Sequence, residues 1–149
     1  MKTILFLDLE ETIIQSWENH TLMNIDKIKF IIDKTEPDEI NIFSGAIWCG
    51  DDVFKFTSKL KNTLEQALSI TINKAFPMSE VIRLSSWGNC AFENRMESMI
   101  VVGKFRIFED FCERNFKHTK CYLVDDACPS KNIVNFDSDV EIYLLNINK

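Results

Sequence analysis

The sequence predicts an α/β fold: a mainly parallel five-stranded sheet flanked by helices. Three observations carry this. Short apolar runs recur along the chain, segments of helical periodicity separate most of them, and two of the runs end in aspartate. The 149 residues are 46% hydrophobic and include 12 phenylalanines. A chain of that length is one domain's worth and buries roughly 70% of its unfolded surface. With no internal repeat, low-complexity tract or linker, residues 1–149 read as a single domain.

The elements follow in order. Residues 3–9 hold the run Ile4–Leu7, continuous enough for a strand buried on both faces, and then reach Asp8. Leu22, Ile25, Ile28, Ile31 and Ile32 predict a helix over 22–34, closed off before Pro37. "EINIFS" at 39–44 is a second strand, broken by Gly45. Asp51 and Asp52 suit the positive end of a helix dipole, and Val53, Phe56, Leu60, Leu64, Ala67 and Leu68 continue that helix on one face. "SEVIRLS" at 79–85 is expected as a third strand, and residues 86–103 as a small insertion or flap. Phe105, Phe108, Phe111 and Cys112 predict a helix over 104–117. "KCYLVDD" at 120–126 and "EIYLLNI" at 141–147 complete the five strands.

The bulk numbers narrow the partners. A net charge of −6 argues against gripping nucleic acid over the whole surface, leaving Lys55, Lys59 and Lys61 as a local basic spot. No apolar run approaches the ~20 residues that cross a bilayer, and "ILFL" runs into acids rather than a cleavage site. No membrane association and a cytoplasmic setting are therefore expected. The five cysteines include no C-x-x-C pair and read as reduced, mostly buried thiols. His20 and His118 sit in polar surroundings and are expected to have no chemical role. Trp48 and Trp87 fall just beyond proposed strand ends, where they would either pack on the core or flank a site mouth.

The chemistry gathers at the strand ends. One strand finishes at Asp8 with Glu10 two residues on, another at Asp125 and Asp126. If these strands are neighbours, the carboxylates meet at the sheet edge where open α/β folds bind ligands. Such a cluster repels itself, and a hard divalent cation such as Mg²⁺ would relieve it. Ser44, after the second strand, offers a hydroxyl to a phosphate oxygen. Lys104 stands at a predicted helix start, where the dipole disfavours a cation. An acidic, phosphate-binding edge nearby would explain it.

"FLDLEETII" resembles the first motif of the haloacid dehalogenase superfamily, a hydrophobic strand followed by Asp-x-Asp-x-Thr. Ser44, Lys104 and the Asp125–Asp126 pair follow in the order of that family's remaining motifs. The resemblance implies a Rossmann-like sheet and, with only residues 10–21 between the first strand and the first helix, no large cap. It implies Asp8 as a nucleophile that forms an aspartyl-phosphate. It implies Mg²⁺ held by Asp8, the main-chain carbonyl of Glu10, Asp125 and Asp126. Ser44 and Lys104 would bind the phosphoryl oxygens, with Thr12 supporting this phosphate-binding loop. The family's second aspartate is the general acid/base, and here that position is Glu10, one methylene longer.

Three outcomes stand open for Glu10: it serves in a readjusted loop, it slows turnover, or it marks a non-catalytic interaction protein on the same fold. An open, capless site favours a phosphorylated protein or a nucleic-acid end as substrate. A receiver-type phospho-acceptor is disfavoured, because its lysine follows its acids whereas Lys104 precedes the late pair.

Overall fold

The computed structural model describes residues 1–87, 95–135 and 139–149. Its strands are β1 (Lys2–Leu7), β2 (Glu39–Ile42), β3 (Lys74–Ala75), β4 (Thr119–Asp125), β5 (Lys131–Asn135) and β6 (Val140–Asn146). They form one sheet in the order β3-β2-β1-β4-β6-β5. Five run parallel, with β1 at the centre between β2 and β4, and β5 closes one edge antiparallel to β6. This is the expected Rossmann-like α/β arrangement.

Alternation sorts the strand residues onto two faces. Leu5, Leu7, Ile40, Ile42 and Val124 pack beneath α1 (Ile25–Thr35), α2 (Gly50–Lys59) and α3 (Lys61–Leu68). Ile4, Phe6, Cys121, Leu123, Ile142 and Leu144 pack against α4 (Met78–Arg83), α5 (Arg95–Val102) and α6 (Lys104–Asn115). The second face is aromatic. Phe6 and Phe43 each meet Phe108 edge-on, with ring centroids 5.1 and 5.0 Å away. Such pairs contribute about 0.5–1.5 kcal/mol each beyond the area they bury. They also fix α6 one turn beyond Lys104.

The structure departs from the expected elements at four places. Residues 79–85 are not a strand: α4 covers most of them, burying Met78, Val81 and Ile82. Those positions are three and four apart, so the run fits a helix face as well as a strand, and Pro77 supplies the helix start. The third parallel strand is instead Lys74–Ala75, paired with Asn41 and Ile42. The single helix expected from Asp51 to Leu68 is two, broken at Leu60 (φ −126°, ψ −34°). Leu60 remains fully buried, so the apolar stripe runs unbroken across the kink. The edge strand β5 was not anticipated.

Two segments differ in detail. The first helix begins at Ile25, because the preceding residues form a short arm in which Ile14 bridges Leu22 and Gln15 N donates to Thr21 O. This arm is all that stands between β1 and α1, so no large cap is present there. Within the expected insertion at 86–103, residues 95–102 form α5, while 88–94 lie outside the described residues.

Candidate functional site

β1 and β4 are hydrogen-bonded neighbours with Leu7 opposite Val124, so the next residue on each strand, Asp8 and Asp125, arrives at the same edge. Asp8 N continues the ladder to Val124 O at 3.0 Å. Both side chains are buried, Asp8 at 6% exposure and Asp125 at 2%. Two carboxylates taken out of water at this spacing need a counter-charge.

Lys104 supplies it. Its Nζ lies 3.1 Å from Asp8 Oδ1 and 2.6 Å from Asp125 Oδ2. The lysine reaches the edge because α6 starts there, at a turn made by Gly103 with φ 95°. That backbone conformation is open to glycine and strained for other residues. The ion pairs also explain a cation at the unfavourable end of a helix dipole.

The remaining bonds fix each acid's orientation. Thr12 Oγ1 donates to Asp8 Oδ2 at 3.2 Å, and the nearby Ser44 hydroxyl favours the ionised form of the same carboxylate. Ser44 Oγ also accepts from Ala46 N at 3.2 Å. Ala127 N donates to Asp125 Oδ1 at 2.7 Å. Burial pushes the Asp8 carboxyl up to about 6; the Lys104 charge opposes this and the Asp125 charge adds to it. Burial alone would lower the Lys104 ammonium, but the charges of Asp8 and Asp125 more than offset it and hold the group above its ordinary value. Asp126, half-buried, is raised by burial and by the Asp125 charge.

One carboxylate oxygen each from Asp8, Asp125 and Asp126 lie within 4.8 Å of one another. Three oxygen donors around one point suit a hard cation of the Mg²⁺ class. The residues present therefore fit such an ion, with Lys104 beside it.

Four of the sequence-predicted residues, Asp8, Thr12, Lys104 and Asp125, converge on one hydrogen-bonded cluster, with Ser44 close beside Asp8 and Asp126 at the rim. Glu10 does not join them. Its Oε2 accepts a hydrogen bond from Trp17 N at 2.9 Å, which turns the carboxylate into the arm. The cause is local. The amides of Thr12, Ile13 and Ile14 all point to Leu9 O, and Glu11 takes a left-handed conformation (φ 60°), so the chain coils tightly after Asp8. Trp17 itself is held by Lys55 Nζ, 4.7 Å from the ring centre. Trp48 and Trp87 are half-buried against the phenylalanine-rich core, the packing alternative of the two considered.

Sequence reasoning missed three supports. Asn24, left-handed at the foot of α1, donates its Nδ2 to Thr12 O at 2.9 Å. Ile147 N donates to Asp125 O, and Asn146 Nδ2 to Cys128 O, tying the loop after β4 to the end of β6. The Trp17 amide is the third. Each uses a backbone group, which carries no residue-type signal.

The fold and the site together define a Rossmann-like α/β protein with a buried Asp–Lys–Asp cluster at the carboxyl edge of its central strands. No family model, curated protein or solved structure matches the chain. Among the described residues, no helix is long and apolar enough to cross a membrane.

Proposed function

We propose that the chain is a Mg²⁺-dependent phosphohydrolase of the haloacid dehalogenase type that acts through an aspartyl-phosphate on Asp8. The observation that supports it most is the convergence of Asp8, Asp125 and Lys104 at adjacent strand ends. A bare structural ion pair needs neither a Thr12 hydroxyl bonded to the same carboxylate nor a third acid at the rim.

In this reading an Asp8 oxygen forms a bond to phosphorus as the ester P–O bond breaks, and the leaving oxygen takes a proton from Glu10. Water then attacks the phosphorus, Glu10 takes up its proton, and phosphate departs with Asp8 restored. Mg²⁺, held by Asp8, Asp125 and Asp126 with the Glu10 carbonyl, would supply positive charge to the phosphoryl oxygens. Lys104 and Ser44 would bind those oxygens, and Thr12 would keep the Asp8 carboxylate turned toward them. Glu10 must leave the Trp17 amide to reach the leaving group. With only a short arm over the site, the substrate class is a phosphorylated protein or a nucleic-acid end. The setting proposed is the cytoplasm, where buried thiols such as Cys112, Cys121 and Cys128 stay reduced.

One observation favours a second reading. The Glu10–Trp17 bond holds the acid/base out of the cluster, as expected of a non-catalytic interaction protein on the same scaffold. Phosphate release from aryl phosphate, phosphopeptides and phosphorylated DNA ends separates the two. The proposal expects Mg²⁺-dependent release that falls by about 10³-fold or more in Asp8→Asn. No release from wild type, with none appearing in Glu10→Asp, would overturn it.

A further inference from the structure

One side of the sheet is unevenly covered. A parallel crossover from β4 to β6 would ordinarily carry a helix across the sheet face. Here the connection carries β5, which pairs at the edge instead. On the α1 side Val124 of β4 lies in the core beneath the helices, while Tyr122 and Leu145 pack only at that core's margin. Tyr122 and Tyr143, both half-buried, stack there (centroids 4.7 Å, interplanar angle 15°), and Asn132, opposite Tyr143, is exposed. Tyr143 belongs to neither core cluster.

This face runs into a groove of about 570 Å³ between α1 and the end of β6, lined by Phe30, Ile31, Leu145 and Ile147. Phe30 is 62% exposed, unusual for a large apolar side chain. The rim is basic in a chain of net charge −6. Lys27 and Lys149 line it, Lys34 Nζ sits 5.4 Å over the Phe30 ring, and Asp26 is the acid among them. Among the described residues none of the three lysines forms a salt bridge; Lys27 Nζ rests 3.4 Å from Ile147 O.

We propose that this face is a docking site for an amphipathic helix of a protein partner. The helix would lay apolar anchors into the Phe30–Leu145 groove and present acidic side chains to Lys27, Lys34 and Lys149. It would occupy the place that a crossover helix takes in a regularly wound sheet. Charge complementarity decides the occupant. A second copy of this chain, meeting it by two-fold symmetry, would set one lysine rim against another and join two chains that each carry −6. The site is independent of the phosphohydrolase reading.

The test is selection of a helical peptide library against the full chain at low salt, followed by fluorescence anisotropy of the enriched peptides. The enriched sequences are expected to be acidic amphipathic helices whose affinity falls about 30-fold in Phe30→Ala. Lys27→Glu and Lys149→Glu should weaken binding and flatten its salt dependence, with the thermal midpoint unchanged. No enrichment, enrichment of basic or uncharged peptides, or binding indifferent to both Phe30→Ala and Lys27→Glu would overturn the proposal. So would a dimer in sedimentation that dissociates in Tyr143→Lys.

Discussion

Asp8 and Glu10 are two residues apart, yet they are placed by different physics. Asp8 belongs to the sheet: the β1–β4 ladder sets its backbone, and Lys104 and Thr12 hold its carboxylate. Glu10 belongs to the arm, and its one described side-chain bond is to a backbone amide seven residues further along. A strand-end residue inherits its position from long-range pairing and resists local change. A residue just beyond it follows the loop, and moves if the loop moves. The catalytic question rests on the second kind of residue, while the charge balance rests on the first.

The sharpest way to break this contrast is Lys104→Met. It leaves two buried carboxylates without their cation and should cost about 3–5 kcal/mol. Urea denaturation at pH 8 measures this, and the loss should shrink at pH 5, where Asp8 takes up a proton. A loss under 1 kcal/mol at pH 8 would mean that water, not Lys104, neutralises the pair.

The next effect is the pH dependence of Asp8 itself. Its carboxyl ionises near its ordinary value of 3.8 when unfolded and only at about 6 when folded. Between those values the folded chain holds more protons, so stability is greatest below the unfolded pKa and falls as pH rises toward 6. The fall is on the order of 3 kcal/mol by linkage. Asp8→Asn should flatten the stability profile across that window. Mg²⁺ affinity, read by calorimetry, should move the opposite way and rise through it, since the ion needs the ionised carboxylate.

Gly103→Ala tests how α6 is aimed. A Cβ there would meet nothing within 4 Å, so the cost is backbone strain alone at φ 95°, about 2 kcal/mol by thermal melting. The smallest effect belongs to the arm. Glu10→Ala should change global stability by about 1 kcal/mol or less, yet speed hydrogen exchange at the Trp17 amide. If both fell together, arm and sheet would form one cooperative unit and the contrast would fail.

The acids, Ser44 and Lys104 were legible because strand ends and helix starts are set by patterns of near neighbours, whereas Thr12 entered only through the family resemblance. Two apolar runs ending in aspartate place their carboxylates at one edge once the strands pair in parallel. Val81 and Ile82 show where this reading fails, because a run that short satisfies both a strand and a helix period. The β3 strand is only two residues long, and nothing in Lys74–Ala75 distinguishes it locally. It exists because β2 offers it an edge.

By itself, then, the sequence determined the α/β class, the central strands and the residues of the acid–lysine cluster, all of which follow from hydrophobic period and residue type. Tertiary structure alone decided the break at Leu60, the antiparallel edge strand, the groove between α1 and β6 and the turning of Glu10 toward Trp17. Each of these depends on which backbone groups find partners across space, and main-chain donors and acceptors are the same at almost every position of a sequence.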